Sequence, residues 1–76
     1  MFKTTILNPK RIIFEGDAKS VFLPGVEGEF EVLDFHKPTI SLLKEGLILI
    51  DWEKSVKISK GVMLARNNEL VALVEE

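Results

Sequence analysis

The stretch that decides the fold is Leu23-Pro24-Gly25-Val26-Glu27-Gly28-Glu29-Phe30-Glu31-Val32-Leu33. It opens on a Pro-Gly pair, a strong turn signal, because proline fixes φ and glycine takes φ > 0 without steric cost. Gly28 adds a second flexible point, so Val26 and Glu27 are expected on an exposed loop. Beyond it the chain alternates like a half-buried strand, with Phe30 and Val32 on one face and Glu29 and Glu31 on the other. A tight loop that offers a valine and a carboxylate between two strands describes a presented surface. It does not describe a catalytic pocket.

Working outward, short apolar runs repeat in both directions. Phe2 to Leu7 alternates and stops at Asn8-Pro9, a turn-initiating pair. Arg11 to Phe14 is short and ends near Gly16-Asp17; Ala18 to Leu23 puts Val21 and Leu23 on one face, Ser20 and Phe22 on the other. Asp34 to Pro38 is irregular, and Lys37 is pushed to extended geometry by the following proline. Thr39 to Leu43 and Leu47 to Ile50 read as strands, with Asp51-Trp52-Glu53-Lys54 as a hairpin tip. Ser55 to Ser59 is the cleanest period-two alternation, polar out and apolar in. Val62 to Ala65 and Leu70 to Val74 flank Arg66-Asn67-Asn68-Glu69, a hairpin in which asparagine tolerates left-handed geometry. No stretch combines the length and the 3.6-residue period of a stable helix. Roughly nine to ten short strands, with turn signals every eight to twelve residues, predict an all-β antiparallel sandwich or barrel.

Size and composition bound the function. The 76 residues make one domain, 1–76, with a small core and marginal stability, since a chain this short buries only about 60% of its unfolded surface. An apolar fraction of 46% is enough for packing and excludes a disordered tail. There is no cysteine, hence no disulfide or thiolate metal site, which points to a reducing compartment. Ten Lys and Arg are scattered among twelve acids, for a net charge of −2, which argues against nucleic acid as the main partner. No apolar run reaches the roughly 18–20 residues of a membrane span, and the N-terminus lacks a signal h-region. Direct membrane insertion is therefore not expected.

Candidate chemistry is sparse. His36 is the only histidine, without a nucleophile or second ligand nearby, so neither a triad nor a metal site follows. From sequence alone it reads as a loop histidine bonded to nearby backbone. Glu27, Glu29 and Glu31 lack the further oxygen ligands of a calcium loop and read as a solvated face. Trp52 has two readings, an interface hot spot or a ring folded over the sheet edge to cover Val56. No catalytic residue, cofactor or metal is expected, and the chain is not read as an enzyme.

The LPGxEGEFxVL run resembles the epsilon subunit of F-type ATP synthases, the counterpart of the mitochondrial delta subunit. The resemblance extends in order along nearly the whole chain. Phe2 to Phe14-Glu15-Gly16, with Pro9 at its turn, is similar to the family's opening hairpin. His36 and Pro38 resemble its histidine-x-proline pair, Leu43 and Gly46 its leucine-x-x-glycine turn, and Gly61 with Asn68 to Val74 its closing hairpin. It implies a flattened sandwich of two antiparallel sheets at the foot of the central stalk. The domain would be a non-catalytic rotor subunit passing proton-driven rotation to the catalytic head, peripheral on the cytoplasmic side of the bacterial inner membrane. It further implies a gamma-subunit contact drawn from Val26, Phe35, His36 and Pro38. A c-subunit ring contact at Gly28, Glu29 and Glu31 is implied as well. Asp34-Phe35 and Lys37 depart from the family's usual residues around the histidine. The chain ends at Glu75-Glu76 directly after a strand, where family members usually continue into a helical hairpin that can restrain ATP hydrolysis. Nothing here matches that hairpin, so inhibition and ATP sensing are not carried over. The competing class, a free-standing small β-barrel binding module such as an oligonucleotide-binding fold, needs a basic groove with exposed aromatics.

Overall fold

A computed structural model describes residues 1–76. Nine strands account for the fold: β1 (Phe2–Leu7), β2 (Ile12–Ala18), β3 (Ser20–Gly25), β4 (Gly28–Leu33), β5 (Thr39–Leu43), β6 (Gly46–Ile50), β7 (Lys54–Ile58), β8 (Lys60–Arg66) and β9 (Glu69–Glu75). They run β2-β1-β9-β8-β5-β3-β6-β7 as one curled sheet, with β4 on the other side of β3. The sheet curls at β3, which meets β5 only through Gly25 and Leu43 but pairs β6 at Val21 and Phe22. Two layers result, β2-β1-β9-β8-β5 and β4-β3-β6-β7. The all-β sandwich expected from strand spacing is the observed architecture.

Alternation builds the core. Phe2, Ile6, Val21, Leu23, Ile48, Ile58, Met63, Leu70 and Val74 point inward and are almost wholly buried. Every ladder is antiparallel except β1 with β9, where Lys3 to Leu7 run parallel to Glu69 to Leu73. The last strand is therefore sandwiched between β1 and β8.

Two local expectations change. Gly16-Asp17 does not end β2: Gly16 pairs with Thr4 and Asp17 with Lys3, and the strand continues to Ala18, because a glycine in extended geometry keeps its place in the ladder. Pro24 and Gly25 are the last residues of β3, not the turn. The two loop residues are Val26 and Glu27, and the positive φ of 140° belongs to Gly28. Gly25 is needed for closeness instead, since a Cβ there would lie 2.6 Å from the Gly28 carbonyl oxygen. By contrast, the Arg66–Glu69 hairpin forms as expected, with Asn67 and Asn68 both left-handed (φ 48° and 62°).

The β6–β7 tip is tied to the β2–β3 corner. The Lys19 and Ser20 amides donate to Asp51 Oδ1 at 2.7 and 3.0 Å, which breaks the strand at Lys19. Those two backbone bonds, Ser20 first and Lys19 second, hold the Asp51 carboxyl below its ordinary value of 3.8; burial opposes them and the Lys19 charge assists. A depressed folded-state pKa gives stability that is fully present above the unfolded value and lost as pH falls through the folded one. Asp51→Asn should therefore flatten the acid side of the stability profile below about pH 4. Urea midpoints measured at stepped pH check this; parallel profiles for the two proteins would refute it.

Candidate functional site

The presented surface divides into two ends and two outer faces. At one end is the β3–β4 tip, where Val26 is 51% exposed and Glu27, Gly28 and Glu29 are open to solvent. The Val26 amide donates to the Leu42 carbonyl at 3.0 Å, and Lys44 N–H donates to the Pro24 carbonyl at 2.8 Å. These bonds fix the tip against β5. At the other end is the Asp34–Pro38 loop, where β4 departs from its pairing of Leu33 with Ser20. The six-residue hairpin arms place that loop about 20 Å from the tip.

The expected gamma-side set is thus split. Val26 sits at the tip with Gly28 and Glu29, while Phe35, His36 and Pro38 share the far loop. Phe35 is fully exposed with a left-handed backbone (φ 62°), and Pro38 is also exposed. His36 turns inward. Its Nδ1 lies 3.0 Å from the Leu33 carbonyl, its ring meets Phe2 edge-on at 5.1 Å, and its Nε2 is buried without a partner. The Met1 ammonium pairs with Asp34 at 2.8 Å and closes the loop from the other side.

Glu29 and Glu31 share the outer face of β4, as alternation requires, but they differ in setting. Glu29 lies opposite Pro24 beside the tip, whereas Glu31 lies opposite Phe22 and accepts a hydrogen bond from Trp52 Nε1 at 3.0 Å. Trp52 does not cover Val56. Its ring lies 5.2 Å from Phe22, so it folds across the sheet face and not over the edge.

The feature that sequence reasoning missed is the outer face of β5, β8 and β9. Ile40 and Leu42 stand beside Leu64 and Val62, which stand beside Val71 and Leu73. Ile40 is 75%, Leu42 61% and Leu73 46% exposed. The same strands bury Leu43, Met63, Ala65, Leu70, Ala72 and Val74 on their inner side. An antiparallel sheet with one solvated face should read polar on that face; strands apolar on both faces belong to sheets covered on both. The signal was present in the near-continuous apolar runs Val62 to Ala65 and Leu70 to Val74. Val26 and Pro9 extend the patch around a cleft of about 450 Å³, whose rim carries the Lys60–Glu75 ion pair at 3.6 Å. No group of three or more His, Cys, Asp or Glu side chains converges anywhere in the chain.

A family model described as the β-sandwich domain of the ATP synthase delta/epsilon chain matches residues 1–76. The ATP synthase epsilon chain of Nitratiruptor sp. is 44% identical over 77 residues, covering 96% of this chain and 60% of that one. The epsilon chain of Chlorobium limicola is 30% identical over 79 residues, covering 99% of this chain and 90% of that one. This chain thus spans about 60% of the length of the first relative and nearly all of the second. Among solved structures, a chain of the Tetrahymena thermophila mitochondrial ATP synthase central stalk/c-ring superposes with a TM-score of 0.78 at 13% identity, covering 97% of this chain and 63% of that one. A chain of the Euglena gracilis mitochondrial enzyme gives 0.83 at 22%, covering 96% and 49%. At those identities the structural matches speak for the fold alone.

Proposed function

Since the chain belongs to the ATP synthase delta/epsilon β-sandwich family, we propose that it is a non-catalytic rotor subunit that couples the gamma subunit to the c-subunit ring. The observation that carries this reading is the apolar outer face of β5, β8 and β9, which has the makings of a permanent contact. Gamma covers that face, with Val26 at its margin. Phe35 and Pro38 form a second, smaller contact, and His36 anchors their loop from beneath through Leu33 and Phe2.

The tip residues Gly28 and Glu29 face the ring. An exposed carboxylate there contributes only about 0–1 kcal/mol per pair, so it sets register more than affinity. Torque needs a stiff body, and seven antiparallel ladders closed by one parallel ladder supply it. The assembled complex, with its catalytic head, would hold the domain at the cytoplasmic side of the bacterial inner membrane.

Calorimetry of the purified chain against gamma tests the reading. A one-to-one complex with a negative heat-capacity change is expected, because apolar burial gives that sign. The interface should exceed about 1,000 Å² in total. A folded gamma that leaves the chain free in solution would sink the proposal.

A further inference from the structure

The second outer face, on β4, β3 and β6, meets the contacts proposed above only at Glu29, at its tip end, and the rest of it does not depend on them. Across it Glu31 stands opposite Phe22, and Phe22 opposite Leu49. Trp52 folds back from the β6–β7 tip onto this row, its ring against Phe22 and its Nε1–H on Glu31 Oε2. It remains 61% exposed. Its backbone is left-handed (φ 56°), a conformation that bulky side chains avoid and that glycine would adopt without strain. The tip is held there by Asp51 on the Lys19 and Ser20 amides. An indole is thus held over a sheet face, tilted 45° to the Phe22 ring, with much of its surface open.

The charge around it is unbalanced. Glu31 engages no cation, its Oε1 has no protein partner, and neither Glu29 nor Glu53 forms an ion pair. The cation registered on this face, Lys57, stands opposite Leu47, a full alternation step along β6 from Leu49. An exposed indole beside a fixed, unpaired carboxylate matches a planar cation: a guanidinium stacks on the ring while its N–H groups meet the carboxylate. A lysine ammonium, a compact and strongly hydrated point charge, fits less well. The same carboxylates repel phosphate, which disfavours nucleic acid.

We propose that the Trp52–Glu31–Phe22 face docks an arginine-bearing segment of a partner protein, the guanidinium lying on Trp52 and pairing with Glu31. Trp52 is the only tryptophan, so its emission reports this site alone. Titration with N-acetyl-argininamide at constant ionic strength should change that emission saturably, and N-acetyl-lysinamide should act about fivefold more weakly. Glu31→Gln keeps an acceptor for the indole N–H and removes the charge, so it should abolish the response while the urea midpoint stays close to that of the parent. Glu29→Gln, one alternation step away, should leave most of the response.

An absent response in the folded chain, or an equal one from Glu31→Gln, overturns the proposal. So does a stronger response to a single-stranded oligonucleotide. Emission that shifts with protein concentration alone, and is lost with Arg66→Ala, would give the face to a second copy of this chain and overturn it as well.

Discussion

Leu42→Glu combined with Leu73→Glu should abolish binding to gamma and leave the isolated domain folded. The two leucines flank Val62 across three neighbouring strands, Leu42 to one side and Leu73 to the other, so both charges fall within about 10 Å. Leu42 is mostly exposed and Leu73 nearly half exposed in the free domain, and surface substitutions usually shift stability by no more than about 0.5 kcal/mol. In the complex each carboxylate is buried against apolar surface without a partner. That costs about 2 kcal/mol or more per charge, so at least about a thousandfold in affinity for the pair. Calorimetry against gamma with a thermal melt of the free variant separates the two effects. Undiminished binding would move the gamma contact off this face. Loss of the fold instead would show that these leucines stabilise the sheet itself.

Phe2→Ala should have the largest effect on stability. Phe2 is wholly buried at the start of β1, where it packs under the His36 ring as well as into the core. Truncating a buried phenylalanine costs about 3–5 kcal/mol. A domain of this length holds only about 4–11 kcal/mol on the usual per-residue scale. At the low end of that range much of the chain is unfolded, and in what remains folded the Asp34–Pro38 loop loses the floor beneath its histidine. Phe35→Ala, at a fully exposed position, should change stability by less than about 0.5 kcal/mol. Urea titrations of the two variants measure the contrast, and near-equal midpoints would contradict it.

Much of the fold is legible because period-two alternation and turn chemistry are local. Ser55 to Ile58 and the Asn67-Asn68 turn form as their residues dictate. Chain-distant features are not legible in that way. Nothing near Asp51 announces that it will accept the amides of Lys19 and Ser20, and nothing near Phe2 announces a parallel partner in β9. The apolar outer face escaped because Ile40, Leu42 and Leu73 look like core residues until the strand faces are known. The resemblance along the sequence groups Val26 with Phe35, but a hairpin carries its tip and its far end apart. Trp52 was undecidable locally because its partners, Phe22 and Glu31, come from two other strands.

The placement of β9 between β1 and β8 also bears on synthesis. Until Leu70 and the residues after it leave the ribosome, β1 and β8 each present an unpaired edge, and the β1–β2 hairpin has no strand joining it to β8 in its own layer. The layer β2-β1-β9-β8-β5 therefore cannot be completed before its last strand is made. For that interval the nascent chain shows sticky edges, which makes it a natural client for whatever holds emerging chains apart.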